Sequence, residues 1–191
     1  METWASQHSG PSATQDSGTP RLVWLLASAV ETIVQQNERV ILLARGSRKK
    51  DEVTIFHGSK SPTLTIRQYL ERVFKYAKCS TSCFVVAYIY LERYLQRRRG
   101  NRLTLLNVHR LLITSILVAA KFMDDECYSN GYYAKVGGVS TAELNKMELE
   151  FLFHLDFRLN VTVECYRSYC CRLEREKSGR RYYKIEQPFH P

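Results

Sequence analysis

Apolar residues recur along this chain at intervals of three and four, and almost nowhere in strict alternation. In TIRQYLERVFKYAK (65–78), Ile66, Tyr69, Leu70, Val73, Phe74 and Ala77 fall at i, i+3, i+4, i+7, i+8 and i+11. That spacing is the stripe of a helix lying on a core. Upstream, Leu22, Leu25, Leu26, Ala29, Ile33 and Val40 predict an amphipathic helix from Arg21 to about Ala44. A segment from about Thr81 to Gln96 is apolar over a wide arc. The next starts near Thr104, a suitable N-cap, and ends near Met123. It is apolar nearly all round, which predicts a helix surrounded by others.

SNGYYAKVGG (129–138) predicts a short helix stopped by Gly137 and Gly138. Ser140 and Glu143 then form a capping box, with Val139 and Leu144 placed as its hydrophobic staple. That helix continues through Met147, Phe151, Leu152 and Leu155, and VTVECYRSYCCRLEREK (161–177) reads as a final helix. The fold class is therefore all-α: a five-helix bundle around a buried central helix, with flanking N- and C-terminal helices. Residues 1–20 are rich in Ser, Thr, Gly and Pro and are expected to be disordered. Residues 21–171 form the domain, with a polar loop at 45–63 inside which VTIF (53–56) has the character of a short paired strand, and 172–191 form a basic tail.

Composition adds a well-filled core, since 45% of the 191 residues are hydrophobic and 12% aromatic. Lys and Arg number 28 against 19 Asp and Glu, giving +9. That balance permits nucleic acid, an anionic membrane or an acidic protein face as partner without choosing among them. The six cysteines form no CxxC pair, and free thiols in a reducing compartment are expected. No cationic-apolar leader opens the chain, and LVWLLASAV (22–30) is too short to span a bilayer. An intracellular protein of nucleus or cytoplasm, without a membrane partner, is the expectation.

Catalytic chemistry finds no support. There is no Gly-rich phosphate loop, H-E-x-x-H or G-x-S-x-G. Cys79 and Cys83 lie four apart, but structural zinc sites favour tighter pairs and four clear ligands, so no metal or cofactor is expected. His109 and His154 read as helix-surface or partly buried side chains rather than bases, and Asp124, Asp125 and Glu126 as an acidic helix end. The basic runs SRKK (47–50), QRRRGNR (96–102) and the tail's RRYYK match solvated loop tips better than a nucleic-acid footprint.

One charge stands out. From Leu111 to Met123 the only full charge is Lys121, at the end of an otherwise apolar helix. The segments TIRQYLERVFKYAKCSTSCFVVAYIYLERYLQ, LNVHRLLITSILVAAKFMDDECYSNGYYAKVGG and ELNKMELEFLFHLDFRLNV resemble the cyclin box, placed at about residues 64–160 within a match that covers about 21–171. They are most similar to the P or U type of plant cyclins, which are similar to the yeast cyclin of phosphate signalling. The resemblance implies a regulatory subunit, not an enzyme, that binds and activates a cyclin-dependent protein kinase as a monomer in a 1:1 complex. It implies a role in cell-cycle or nutrient signalling, and leaves a nucleic-acid-binding module or a non-activating kinase scaffold as alternatives.

The resemblance assigns Lys121 and Glu148 as kinase-contacting residues, with Phe122, Asp124, Leu152, Phe157 and Leu159 lining the same surface. It also implies an internal ion pair between Arg67 and Glu92. Members best known for cell-cycle control carry a Trp at a substrate-docking groove where this chain has Val73, with Ile66 and Leu70 at the other groove positions. Docking of the family's short basic-hydrophobic motifs is therefore not expected here.

Overall fold

Side-chain caps fix where several helices begin. The Thr65 hydroxyl accepts from Gln68 N at 3.1 Å while Gln68 Oε1 accepts from Thr65 N at 3.0 Å, closing a reciprocal cap. Ser140 and Glu143 do the same at 3.1 and 3.0 Å, as the sequence predicts. The computed structural model describes residues 19–43, 53–97 and 102–177. Within them lie α1 (Arg21–Leu43), α2 (Ile66–Ala77), α3 (Thr81–Arg97), α4 (Val108–Met123), α5 (Asn130–Gly137), α6 (Thr141–His154) and α7 (Val163–Lys177), and no strand.

The all-α class and the buried central helix are both present. Every residue of α4 from Leu111 to Ala120 is buried. It packs against α2, α3, α5 and α6, while α1 lies across α2, α3 and α7. Gly137 lets α5 approach α4, because a Cβ there would come within 2.6 Å of Ile113 Cγ1. Gly138, at φ 72°, supplies the left-handed residue that ends α5. The two glycines thus have different jobs.

Several boundaries depart from the expectation. α4 begins at Val108, not near Thr104, because Asn107 first organises a turn. Its Oδ1 accepts from Thr104 N at 2.8 Å and its Nδ2 donates to Arg102 O at 2.8 Å. VTIF forms a turn rather than a paired strand, and it contributes Phe56 to the core. The Phe56 ring meets Tyr94 and Phe151 edge-on at 5.3 and 6.3 Å. On α1 the buried face stops at Val34, and Val40 is exposed. α7 runs six residues past 171 and buries Leu173, so residues 172–177 belong to the helix rather than to a tail. The expected tail at 1–18, the run SRKK and the segment 178–191 lie outside the described residues.

Candidate functional site

At the end of α4 the pattern of burial changes within one turn. Ala119 and Ala120 are buried, whereas Lys121, Phe122 and Met123 are all exposed. Lys121 Nζ donates to Glu148 Oε1 on α6 at 2.7 Å. The Glu148 side chain is 14% exposed and that of Lys121 41%, so the anion is set into the surface and the cation stands on it. Glu148 Oε2 accepts from Asn130 Nδ2 at 2.7 Å, and Asn130 Nδ2 also donates to Asn145 Oδ1 at 2.7 Å. The first residue of α5 therefore fixes the second oxygen of Glu148.

Exposed apolar side chains are carried by the same elements. α6 buries Leu144, Met147 and Phe151 on one stripe, which would satisfy the core. It nevertheless carries Leu149 and Phe153 outside that stripe, 54% and 59% exposed. Phe157 follows at 55% exposure, its ring 5.4 Å from that of Phe153 in an edge-to-face arrangement. Leu152 and Leu159 are partly buried and pack on the core. An apolar groove of about 270 Å³ opens beside them, lined by residues including Tyr90, Phe122, Met123, Leu159, Val163 and Tyr166. Large exposed apolar groups gathered at one place are the mark of a surface that meets another protein.

The segment after α6 has an unusual backbone. Asp156 and Phe157 both have positive φ, 50° and 55°, conformations that bulky L-residues avoid. Side chains of α3 hold it there. Tyr90 Oη donates to Leu159 O at 2.6 Å. Arg93 Nη1 donates to Arg158 O at 3.0 Å and Asn160 O at 3.2 Å. Arg97 bonds His154 O at 3.3 Å and pairs with the Asp156 carboxylate. Three residues spaced along one edge of α3 thus clamp residues 154–160.

Asp124 plays a double part. Its backbone N–H donates to Ala120 O at 3.0 Å, ending α4. Its Oδ2 accepts from Ser80 N at 3.2 Å, just before α3, and lies 3.2 Å from the Cys83 thiol. A carboxylate suits that position because the start of a helix is electropositive. Cys79, hydrogen-bonded to Cys83 and buried, is pushed well above the usual thiol range and stays protonated. All six cysteines are free.

Of the expected contact residues, the structure joins Lys121 to Glu148 and sets Phe122 and Leu159 on one groove, while Asp124 ends α4 and bonds Ser80, and Leu152 and Phe157 lie on the end of α6 and the segment after it. It does not bring Arg67 and Glu92 together. Arg67 pairs with Glu71 at 3.0 Å and lies over the Trp24 ring of α1 at 5.0 Å. Glu92 accepts from Tyr169 Oη at 2.9 Å and from Arg172 Nη2 at 2.5 Å, both on α7. Each residue faces a flanking helix, and that replaces the expected pair. His109 is buried in α4, edge-on to Tyr69 at 4.4 Å, and burial pushes its pKa down. No three metal-ligating side chains converge among the described residues, and no described helix is long and apolar enough to cross a membrane.

Met123, Leu149, Phe153, Asn130 and the clamp of Tyr90, Arg93 and Arg97 were not among the residues singled out from sequence. One signal was available. MELEFLFHL carries more apolar positions than one helical stripe can bury.

Comparison with known proteins gives the same picture. A family model described as Cyclin matches residues 6–159. Cyclin-U1-1 of Arabidopsis thaliana is 46% identical over 167 residues, covering 87% of this chain and 79% of the relative. Cyclin-P3-1 of Oryza sativa subsp. japonica is 52% identical over 157 residues, covering 82% and 65%. Cyclin-U4-1 of Arabidopsis thaliana is 51% identical over 156 residues, covering 82% and 76%.

Proposed function

The chain belongs to the cyclin family, and from that premise we propose that it binds and activates a cyclin-dependent protein kinase through the face formed by α4 and α6. Cyclins are regulatory rather than catalytic, and a cyclin-dependent kinase is the partner that membership implies. The observation that carries the choice of face is the Lys121–Glu148 pair at 2.7 Å, next in the chain to exposed Phe122 and Met123 on one side and exposed Leu149 on the other, with Phe153 and Phe157 exposed further along. Apolar groups that exclude water strengthen a charged contact beside them.

Activation follows from differential binding. A kinase transfers phosphate only once its strand lysine pairs with the glutamate of its mobile helix. A partner that binds the paired arrangement more tightly than the unpaired one shifts the kinase toward activity by that difference in affinity. The pre-bonded Lys121 and Glu148 suit this task, because ordering them on binding costs little. The proposal extends to a 1:1 complex in the nucleus or cytoplasm, serving cell-cycle or nutrient signalling.

The test is a titration of purified cyclin-dependent kinase with this chain, following both heat of binding and phosphorylation of a peptide. Saturable activation with one chain per kinase is expected. Binding without activation would make the chain a scaffold, and absence of binding to any cyclin-dependent kinase of its source would overturn the reading.

A further inference from the structure

Where α5 packs on α2, the surface carries a second set of charges and rings. Along the seam between α2 and α5, Arg72 Nη2 donates to Lys135 O at 3.2 Å, and Tyr132 Oη donates to Tyr76 O at 2.8 Å. Lys75 lies over the Tyr76 ring at 5.3 Å and Lys78 over the Tyr128 ring at 5.8 Å. Tyr128 stacks on Tyr132 at 4.3 Å. Arg72, Lys75, Lys78 and Lys135 are all exposed. Among the described residues none of the four has a carboxylate within ion-pair distance, because Glu71 turns to Arg67 and Trp24. The exposed acids nearby in the chain are Asp125 and Glu126, on the turn that leads to Tyr128, and Glu143, which is bonded to Arg110 and to Ser140.

We infer that this seam of four unneutralised cations on a tyrosine scaffold docks an acidic peptide segment. The proposed kinase partnership makes the kinase's substrates the owners of that segment, and only this attribution rests on the earlier reading. Charge decides the class of occupant. A second copy of a chain at +9 would be repelled, and its longest acidic run is the three residues Asp124–Glu126. Single-stranded nucleic acid binds through bases stacked on open aromatic faces. Here the two exposed rings, Tyr76 and Tyr128, each have a lysine ammonium over them and Tyr128 stacks on Tyr132, and an oligonucleotide is the competing occupant in the test. The apolar alternative is also closed, since Ile66, Leu70 and Val73 of α2 are buried. What remains on offer is positive charge held in place by the tyrosines.

The experiment measures fluorescence anisotropy of a labelled peptide of alternating Glu and Ser on the full chain at low salt. Beside it run the neutral Gln-Ser peptide and a single-stranded oligonucleotide. Saturable binding of the acidic peptide alone is expected, weakening as salt screens the charges. The paired substitution Lys75→Glu with Lys78→Glu should reduce it at least about tenfold, and Lys75→Gln with Lys78→Gln should reduce it less. Both variants should keep the parent's circular dichroism and melting, and if the Glu pair does not fold, the Gln pair decides. No binding, binding that ignores these substitutions, or an oligonucleotide that displaces the peptide would overturn the inference. Kinase binding by the same variants separates the two readings: it should survive Lys75→Glu with Lys78→Glu, just as peptide binding should survive Lys121→Ala.

Discussion

Two ion pairs join α4 to α6, and their geometries are nearly the same. Arg110 Nη2 meets Glu143 Oε1 at 2.8 Å near the start of α4, and Lys121 Nζ meets Glu148 Oε1 at 2.7 Å at its end. Their surroundings differ. In the first pair the anion is the more exposed partner, 46% against 22%, and Glu143 Oε2 accepts from its own Ser140 N and hydroxyl. That pair closes a helix start. In the second the cation is the more exposed partner, and exposed Phe122 and Met123 follow it in the chain as exposed Leu149 follows the anion. Distance alone would rank the two as equals. Neighbours separate a contact that closes a helix start from one that sits beside exposed apolar groups.

The comparison breaks most readily at the second pair. Lys121→Ala or Glu148→Ala should weaken kinase binding by about 2–5 kcal/mol, with a small change in melting. The double variant should lose less than the sum. Arg110→Ala should leave kinase affinity within about 0.5 kcal/mol of the parent. Calorimetric titration of all four proteins reads the contrast, and equal losses at the two ends would erase it.

Next in size, Phe122→Ala or Phe157→Ala should cost about 2 kcal/mol of kinase affinity, again without unfolding the chain, because both rings are half exposed. At the other end, Ser140→Ala removes a cap and should cost about 1 kcal/mol of stability in urea unfolding, with no loss of kinase binding. The smallest effect concerns acid. Hydrogen bonds from the Ser140 backbone, then from Arg110 and the Ser140 hydroxyl, hold the Glu143 carboxyl down to about 2. A carboxyl held down on folding stabilises the fold above its unfolded pKa and loses that contribution as pH falls through its folded one. The melting gap between parent and Glu143→Gln should therefore be full above about pH 5 and close toward pH 2.

Helices with a strong stripe or a side-chain cap were legible in the sequence, and α6 shows why: Ser140 and Glu143 mark its start, and Leu144, Met147 and Phe151 its buried face. Such signals are local, set by residues three and four apart. The start of α4 was misplaced because Asn107 bonds to Thr104 and Arg102 instead of capping the helix. Arg67 takes Glu71 one turn on in its own helix, a local pair, with the Trp24 ring arriving from α1, whereas the partners of Glu92 arrive from α7, far along the chain. Lys121 could be singled out as a lone charge in an apolar run, and Glu148 only through family resemblance. The α3 clamp on residues 154–160 leaves no sequence trace, since backbone carbonyls look alike under every residue.

That last property has a consequence for how this surface can change over evolutionary time. Tyr90 and Arg93 grip the loop after α6 by its carbonyls, and Arg97 adds another besides its pairing with Asp156. Any residue type supplies a carbonyl. The exposed side chain at 157 can therefore be exchanged while the loop keeps its course, so on the proposed kinase-binding reading lineages could retune that contact by a single substitution on an unchanged frame.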